Sequence, residues 1–379
     1  MISALFFTWF FAACVWTVNA LRPPVPPGRR FPPLWLPGML VSELAPLYFL
    51  ARVAIFAGFL ALGAGDRPIG IAGIWLFALS QLGLVVLMAR SAIAARATGH
   101  SPSVLTLPKV WQGLPEGVAH LVEIPYWGSF SLDIYAREGL KGAPTLVYVH
   151  PGSWMRGRPG RQARAMFYRL TALGWVVLDI RYPLSPLATF PDHLIGVKRA
   201  IVWAKSEGRA WGVDPDRVII SGGSSGAHLA ALTALTDGNE ALQPGFESAD
   251  TSVAACVPFY GIYDLLVRNP TRYDWPFIAR VVMKVKAIDD PALYELGSPI
   301  DQVHSGAPPF FVLHGQYDSV VLPAESRHFV EALSGEGVEA RYFEVPWAQH
   351  GFDAVASLRT RAVADMCVEW LVASTEGPE

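Results

Sequence analysis

The stretch SGGSSG at residues 221–226 follows the short run RVII at residues 217–220 and precedes AHLAAL at residues 227–232. This order predicts a strand, a sharp turn carrying Gly222-x-Ser224-x-Gly226, and a helix. A serine hydroxyl is a poor nucleophile unless it stands exposed beside a base, and a turn of this kind exposes it. The two glycines allow the neighbouring strand and helix to approach the crowded turn. The stretch therefore predicts a nucleophile at Ser224.

Apolar runs of strand length recur from about residue 101 onward. They lie at residues 121–124, 132–135, 145–149, 175–180, 218–220, 253–259, 310–313 and 341–345. Helical patterns separate the later runs, at residues 162–173, 194–208, 227–235, 323–333 and 355–372. Alternating strands and helices predict an α/β fold: a mostly parallel eight-stranded sheet with helices on both faces. The first two runs, joined through Gly128 and Ser129, add an antiparallel hairpin at its edge.

The composition argues against several classes of partner. The chain has 379 residues and a net charge of −2, so no basic excess favours nucleic acid. Its three cysteines, Cys14, Cys256 and Cys367, lie far apart, which argues against a disulfide framework. No group of His, Cys or Asp has the spacing of a metal site, and no phosphate-binding loop motif occurs. We therefore predict no cofactor and no metal, and the pattern favours no particular oligomeric state.

Residues 1–100 have the pattern of a membrane-anchoring region. Residues 2–21 and 69–89 are uncharged apolar segments long enough to cross the ~30 Å hydrocarbon core of a bilayer. A third segment, residues 44–65, is equally long but contains Arg52, which can snorkel or pair inside a helical bundle. A signal peptide cleaved near residues 18–20 and a helix lying in the membrane interface are the alternatives for the first and third segments. We predict about three spans, followed by a catalytic domain at residues 101–379.

The connection at residues 22–38 holds seven prolines, which predicts a non-helical linker. Arginines follow the first and last spans, at Arg22, Arg29, Arg30, Arg90 and Arg96. Because positive charges favour the cytoplasmic side, both of these span ends are expected in the cytoplasm. Three spans satisfy that condition, so we predict a multi-pass membrane protein with a cytoplasmic catalytic domain.

Polar residues follow three of the predicted strands, at the end where ligand sites form in a parallel sheet. These residues are His150 after 145–149, His314 and Asp318 after 310–313, and His350 after 341–345. With Ser224, they give a serine, an acid and a histidine in chain order at strand ends. Asp301 is the weaker alternative for the acid. The other nearby histidines, His150, His228 and His328, are expected to pack or to brace loops.

Four motifs occur in order at ordinary spacing. They are His150-x-Gly152-x-Trp154, Asp179-x-Arg181-Tyr182 followed by Phe190-Pro191, Asp214-Pro215-Asp216-Arg217 before the serine turn, and Pro308-Pro309 before His314-Gly315-x-x-Asp318. On these motifs, residues 110–373 resemble the hormone-sensitive-lipase-like and related carboxylesterase branch of the α/β-hydrolase fold. The resemblance implies that Ser224 is the nucleophile, His350 the general base and Asp318 the orienting acid. It further implies an oxyanion hole built from the backbone N–H groups of Gly152, Ser153 and Ser225.

Three positions depart from the pattern of that family. Ser225 stands where an alanine is common, Gly223 where an acidic residue is frequent, and Ser153 where a glycine is usual. Ser153 must therefore adopt a backbone conformation that a non-glycine residue tolerates. These departures bear on the shape of the acyl pocket more than on the reaction.

Two further features bear on the substrate. Arg156, Arg158, Arg161 and Arg164 follow the His150 loop, so we expect them near the site, either solvated or in contact with anionic lipid headgroups. Residues 260–302 are longer than a simple crossover between strands. Their large apolar residues either pack a cap or line the pocket, and these are Tyr263, Leu265, Leu266, Tyr273, Trp275, Phe277, Ile278 and Met283.

Together these inferences predict a membrane-anchored serine carboxylester hydrolase. It is expected to cleave small lipophilic esters through an acyl-enzyme, with the lipid bilayer as its partner. An amidase or arylformamidase using the same triad is the main alternative, and a prenylcysteine methylesterase is a narrower version of the prediction. Outside the enzymes, the alternative is a catalytically silent hydrolase domain that serves as a binding module.

Overall fold

The computed structural model describes residues 1–23, 34–100, 108, 113–269 and 275–376. These residues form one eight-stranded sheet in the order β1-β2-β4-β3-β5-β6-β7-β8. The strands are β1 Val118–Trp127, β2 Phe130–Arg137, β3 Ala143–Val149, β4 Val176–Ile180, β5 Val213–Gly223, β6 Cys256–Phe259, β7 Phe310–Gly315 and β8 Ala340–Val345. The pairs β1–β2 and β2–β4 are antiparallel, and the remaining pairs are parallel. Every predicted apolar run overlaps one of these strands.

Helices cover both faces of the sheet. In the predicted catalytic domain, residues 101–379, they are α5 Arg164–Ala172, α6 Asp192–Ser206, α7 Ser225–Leu235, α8 Pro291–Leu296, α9 Ala324–Gly335 and α10 Leu358–Glu376. Val147 of β3 belongs to the core shared with α6, α7 and α9, whereas its neighbour Leu146 belongs to the core shared with α5 and α10. This alternation follows from the two-residue period of a strand buried on both faces. The predicted fold class is confirmed; α8 was not among the predicted helices.

The N-terminal region contains α1 Ile2–Leu21, α2 Trp35–Glu43, α3 Ala45–Ala61 and α4 Pro68–Ala97. Among the described residues, α1 and α4 are each long and apolar enough to cross a membrane, and α2 with α3 passes as a third span only as a pair bent by 85°. Within the predicted segment 44–65 the structure has one helix, the 17-residue α3, which counts as a span only together with α2. Pro46 lies in the first turn of α3, where a missing N–H is tolerated but the preceding helix cannot continue straight through.

The linker prediction for residues 22–38 is also partly wrong, because α2 begins at Trp35. Pro37 occupies the first turn of this helix, where its missing N–H has no intrahelical acceptor to lose. The prolines at residues 24–33, together with Arg29 and Arg30, lie outside the described residues.

Helices α1 and α4 run parallel to each other. Phe6 packs against Gly73 near the start of each helix, and the Arg90 Nη1 donates to the Leu21 carbonyl at their ends, at 2.7 Å. Helix α3 packs against both of them in the opposite direction, and its Arg52 is buried. Its Nη1 donates to the Thr17 hydroxyl at 2.8 Å, so this arginine is held inside the helical bundle.

A buried ion pair fastens α2 to the catalytic domain. The carboxylate of Glu43 accepts a hydrogen bond from the guanidinium of Arg359 in α10, and both side chains are at most 1% exposed. Ser357 donates to the same carboxylate at 2.6 Å, and Arg359 also donates to the Ser42 hydroxyl at 3.0 Å. The N-terminal helices are therefore docked on the catalytic domain through fully desolvated polar contacts.

We expect Glu43→Gln to lower the free energy of unfolding by about 3–5 kcal/mol, because it leaves the Arg359 guanidinium buried without a counter-charge. The measurement is denaturant unfolding of detergent-solubilised protein. Glu123→Gln is the matched control, since Glu123 is 74% exposed and only 3.8 Å from Arg181, so its loss is expected to change stability by less than about 1 kcal/mol. Equal stability of the two variants would contradict the assigned pairing.

Candidate active site

The turn between β5 and α7 holds Ser224 in a strained conformation. Its φ of 53° and ψ of −120° are rare for a residue with a side chain, at a cost of about 1–3 kcal/mol. A Cβ on Gly226 would lie 2.1 Å from the Val149 carbonyl oxygen, and one on Gly222 would lie 2.5 Å from the Gly226 carbonyl oxygen. Only glycine therefore fits at these two positions, which explains the Gly-x-Ser-x-Gly pattern. The Ser224 N–H donates to the Phe259 carbonyl at 2.9 Å and fixes the turn on β6.

The structure brings Ser224, His350 and Asp318 together from three strand ends. The Ser224 Oγ lies 3.0 Å from the His350 Nε2, and the His350 Nδ1 lies 2.6 Å from the Asp318 Oδ2. Because an ionised carboxylate only accepts, the Nδ1 carries the proton and the Nε2 is the acceptor that faces the serine hydroxyl. The histidine ring is therefore oriented to accept the proton of Ser224.

Asp318 is fully buried and held as a carboxylate. Burial by itself raises its pKa, but attraction to His350 and hydrogen bonds from His314 and His350 outweigh burial and lower the pKa to about 2. Its Oδ1 accepts from the backbone N–H groups of Val320 and Val321 at 2.8 and 2.9 Å. Asp301, the weaker alternative, instead pairs with Arg268 at 2.7 Å and makes no contact with His350.

Two residues that hold the acid and the histidine were given no role from the sequence: Gln349 was not selected, and His314 was named only at its strand end and in its motif. The Gln349 Oε1 accepts from the N–H groups of both Ser319 and His350 at 2.8 Å, which ties the two loops together. The His314 Nε2 donates to the Val321 carbonyl at 2.8 Å and lies 3.2 Å from the Asp318 Oδ2. Their positions next to His350 and within the His314-Gly315-x-x-Asp318 motif are the signals that could have identified them.

The loop after β3 places two backbone donors near the serine. Ser153 has a φ of 57°, so it lies in the left-handed region that favours glycine, the residue usual at this position, and that residues with a side chain adopt less often. In the described part of the chain, the N–H groups of Gly152, Ser153 and Ser225 donate to no other group. Unpartnered N–H groups beside a nucleophile are the arrangement that an oxyanion hole requires.

The side chains of His150 and His228 support this loop, and the His228 backbone N–H donates to the Ser224 carbonyl at 3.0 Å. His150 stacks on Tyr182 with ring centroids 4.5 Å apart, and the Tyr182 hydroxyl donates to the His150 carbonyl at 3.0 Å. Burial lowers the pKa of His150 to about 4, so its ring is neutral. The Trp154 indole donates to the His228 Nδ1 at 3.2 Å, which anchors the loop to α7. His328 lies in α9, outside the residues that line the site.

A cavity of about 370 Å³ opens beside Ser224 and His350. Its apolar side includes Ile262, Trp275 and Val320. Of the predicted cap residues, Trp275 lines the cavity, while the remaining described ones pack in or against the core: Tyr263, Leu265, Leu266, Phe277, Ile278 and Met283. Tyr273 lies outside the described residues.

Trp35 of α2 also lines this cavity and was not identified from the sequence. Its ring is perpendicular to that of His350, with centroids 5.5 Å apart. No local pattern around Trp35 distinguishes it from other apolar residues of the N-terminal region. A residue of the predicted anchor is therefore part of the site wall.

The cavity also has polar lining residues. They include Arg156, Arg158 and Arg161, whereas the guanidinium of Arg164 turns back to the Gly160 carbonyl. Asp179, at the end of β4, lines the same cavity and accepts from the Gly160 N–H at 2.7 Å. Burial raises the pKa of Asp179 to about 8, so this carboxyl group carries its proton at neutral pH.

Comparisons with known proteins show the family and the fold of this chain. The BD-FAE family model matches residues 132–333. The chain is 43% identical to Esterase LipQ of Mycobacterium tuberculosis over 286 residues, which cover 73% of this chain and 67% of that protein. It is 35% identical to the probable carboxylic ester hydrolase LipM of the same organism, over 92% of this chain and 88% of that protein. A truncated form of a carbohydrate esterase from gut microbiota has the same fold, with a TM-score of 0.57 and 24% identity over 69% of this chain and 100% of that one.

Proposed function

This chain belongs to the BD-FAE family of α/β-hydrolase esterases, and on that premise we propose that it is a membrane-anchored serine carboxylester hydrolase acting through an acyl-enzyme. The observation that carries the proposal is the hydrogen-bonded chain from Ser224 through His350 to Asp318. Ser224 lies on a strained turn and lines a cavity large enough for a small ester. The proposed substrates are small esters with a lipophilic part, because Ile262, Trp275 and Val320 line one side of that cavity.

The proposed reaction has two steps. As the Ser224 Oγ bonds to the ester carbonyl carbon, its proton passes to the His350 Nε2, and His350 then returns that proton to the leaving alcohol as the C–O bond breaks. A water molecule repeats the sequence on the acyl-enzyme, giving the carboxylic acid and restoring Ser224. In both steps the N–H groups of Gly152, Ser153 and Ser225 donate to the carbonyl oxygen as it gains charge, each contributing about 3 kcal/mol to lowering the barrier.

Membrane anchoring is supported by the outer surface of the N-terminal helices. Large apolar side chains are exposed there, among them Leu5, Trp9, Phe11, Leu50, Val53, Trp75, Leu79 and Leu82. A surface with this many exposed apolar side chains is costly in water but suits the hydrocarbon core of a bilayer.

The direction of the helices bears on the number of spans. Since α1 and α4 run parallel, the chain must cross back between the end of α1 and the start of α4, which the bent pair α2 and α3 can do as a third span. With Arg22, Arg90 and Arg96 at the ends of α1 and α4, we place those ends and the catalytic domain in the cytoplasm.

A fluorophosphonate probe tests the mechanism, because it traps only a serine activated as a nucleophile. We expect modification of the peptide that contains Ser224, and complete loss of modification in Ser224→Ala. Ser206→Ala, in a surface helix away from the cavity, is the control and is expected to label fully. No modification of the folded wild-type protein would point instead to a silent binding domain.

The same preparation tests the other parts of the proposal. Labelled protein is expected in membranes after a carbonate wash, and its release into the soluble fraction would contradict anchoring.

Assays with p-nitrophenyl esters of rising chain length beside an arylformamide distinguish an ester hydrolase from an amidase. Faster turnover of the formamide would assign the chain to the second class.

A further inference from the structure

Three arginines on one side of the catalytic cavity have no acidic partner. Arg156, Arg158 and Arg161 are exposed, line the cavity that holds Ser224, and form no ion pair or hydrogen bond in the described part of the chain. By contrast, Arg169 on the outer surface is paired with Asp365 at 2.7 Å. These three side chains are therefore available to a ligand.

The charge of the cavity lining is positive. Asp179 is the one acidic residue that lines it among the described residues. Because burial keeps this carboxyl group protonated at neutral pH, it does not offset the three arginines. A neutral lipophilic ester would leave this charge uncompensated, whereas an anionic group would be attracted to it.

Buried polar groups of residues that line the same cavity lack partners. The Tyr148 hydroxyl and the Asp179 Oδ1 belong to side chains that are 1% exposed, and neither atom has a hydrogen-bond partner within the described chain. The Gln162 Oε1 in the cavity wall is likewise unpartnered. Unpartnered buried polar groups are uncommon in folded proteins, and a cluster of them facing a cavity is typical of a site for a polar ligand.

We propose that the arginine side of the cavity binds an anionic group, a phosphate or a carboxylate, that is carried by the ester substrate itself. This inference rests on the proposed function and narrows its substrate class to amphiphilic esters. The acyl chain lies against Ile262, Trp275 and Val320, and the anionic group lies against Arg156, Arg158 and Arg161. Guanidinium groups suit this role because their planar fork donates two parallel hydrogen bonds to a carboxylate or phosphate.

Two soluble substrates that differ only in a phosphate test the proposal. We expect kcat/KM for 1,2-dibutyrylglycerol 3-phosphate to exceed that for 1,2-dibutyrylglycerol by about tenfold or more, since a hydrogen bond to a charged group contributes about 1.5–3 kcal/mol. Arg158→Gln with Arg161→Gln is expected to reduce this preference about tenfold. Both side chains are exposed and unpartnered, so the variant is expected to fold. Arg169→Gln, which removes an arginine of the outer surface, is the control and should keep the preference.

Binding measured without turnover separates this proposal from the proposed function. In Ser224→Ala, tryptophan fluorescence is expected to report binding of 1,2-dibutylglyceryl ether 3-phosphate at least tenfold tighter than binding of the ether without phosphate, because Trp35 and Trp275 line the same cavity. Equal affinity would overturn the anion site whether or not the wild-type protein hydrolyses esters. Hydrolysis of both esters without preference would also overturn it and would leave the esterase proposal standing.

A vesicle assay shows whether the anionic group that binds the arginines belongs to the substrate or to the lipids of the surrounding membrane. Dibutyrylglycerol is offered in phosphatidylcholine vesicles with or without the non-hydrolysable dialkyl ether of phosphatidylglycerol. If the anionic lipid raises turnover of this neutral ester while the soluble pair shows no preference, the arginines bind membrane headgroups and the substrate proposal is wrong. If the soluble pair shows the preference and the anionic lipid has no effect, the proposal is supported.

Discussion

Replacing His350 with alanine is expected to lower kcat for ester hydrolysis by about 10⁶-fold, because the change removes the group that accepts the Ser224 proton. The geometry leaves no substitute. Of the other histidines near the site, His150 stacks on Tyr182, His228 is bonded to Trp154, and His314 is bonded to the Ser326 hydroxyl and the Val321 carbonyl. The measurement is steady-state hydrolysis of a p-nitrophenyl ester by purified protein, with the uncatalysed rate subtracted.

His304→Ala is the control for this prediction. His304 is an exposed loop histidine with no contact to the site, so we expect kcat within about twofold of the wild-type value. A loss below about 100-fold for His350→Ala would mean that another base takes the serine proton. In that case the short contact between the His350 Nε2 and the Ser224 Oγ would not be the catalytic one.

Local patterns were sufficient to predict the sheet and the three residues that meet at its edge. Hydrophobic runs indicate strands here because a strand of a parallel sheet is buried on both faces, so nearly all of its side chains are apolar. Strand ends then predict proximity: Ser224, Asp318 and His350 are far apart in sequence but follow strands whose carboxyl ends share one edge. The roles assigned to these residues remain predictions until the variants are measured.

Features that depend on contacts between distant segments could not be predicted in this way. The contact of Trp35 with His350 and the ion pair of Glu43 with Arg359 join α2 to loops and helices at the other end of the chain. Neither has a periodicity or a motif, since each depends on how the N-terminal helices dock. The number of prolines also led to the wrong prediction of a non-helical linker up to residue 38, because the position of a proline within a helix matters more than its presence.

Replacing Asp318 with asparagine is expected to lower kcat by about 10⁴-fold with little change in fold. The Asp318 Oδ1 accepts two backbone N–H bonds, so the asparagine carbonyl oxygen is expected to keep that position. Its NH₂ group would then face the His350 Nδ1 and act as a donor. The histidine would have to carry its proton on Nε2, where it can no longer accept the proton of Ser224.

Asp301→Asn tests the alternative acid in the same assay. Asp301 pairs with Arg268 at the surface, so kcat is expected to stay within about twofold of the wild-type value. A large loss in Asp301→Asn with little effect of Asp318→Asn would reverse the assignment of the acid.

Asp318→Asn also tests a prediction about the stability of the protein in acid. The pKa of Asp318 in the folded protein is lowered to about 2 from the ordinary value of 3.8. The folded state therefore favours the ionised carboxylate, and its contribution of about 2 kcal/mol is complete above about pH 4 and is lost as the pH falls toward 2. We expect the free energy of unfolding of the wild-type protein to fall more steeply over that interval than that of Asp318→Asn. Parallel curves for the two proteins would show that the carboxylate is not held by His350 and His314 in the way that the geometry indicates.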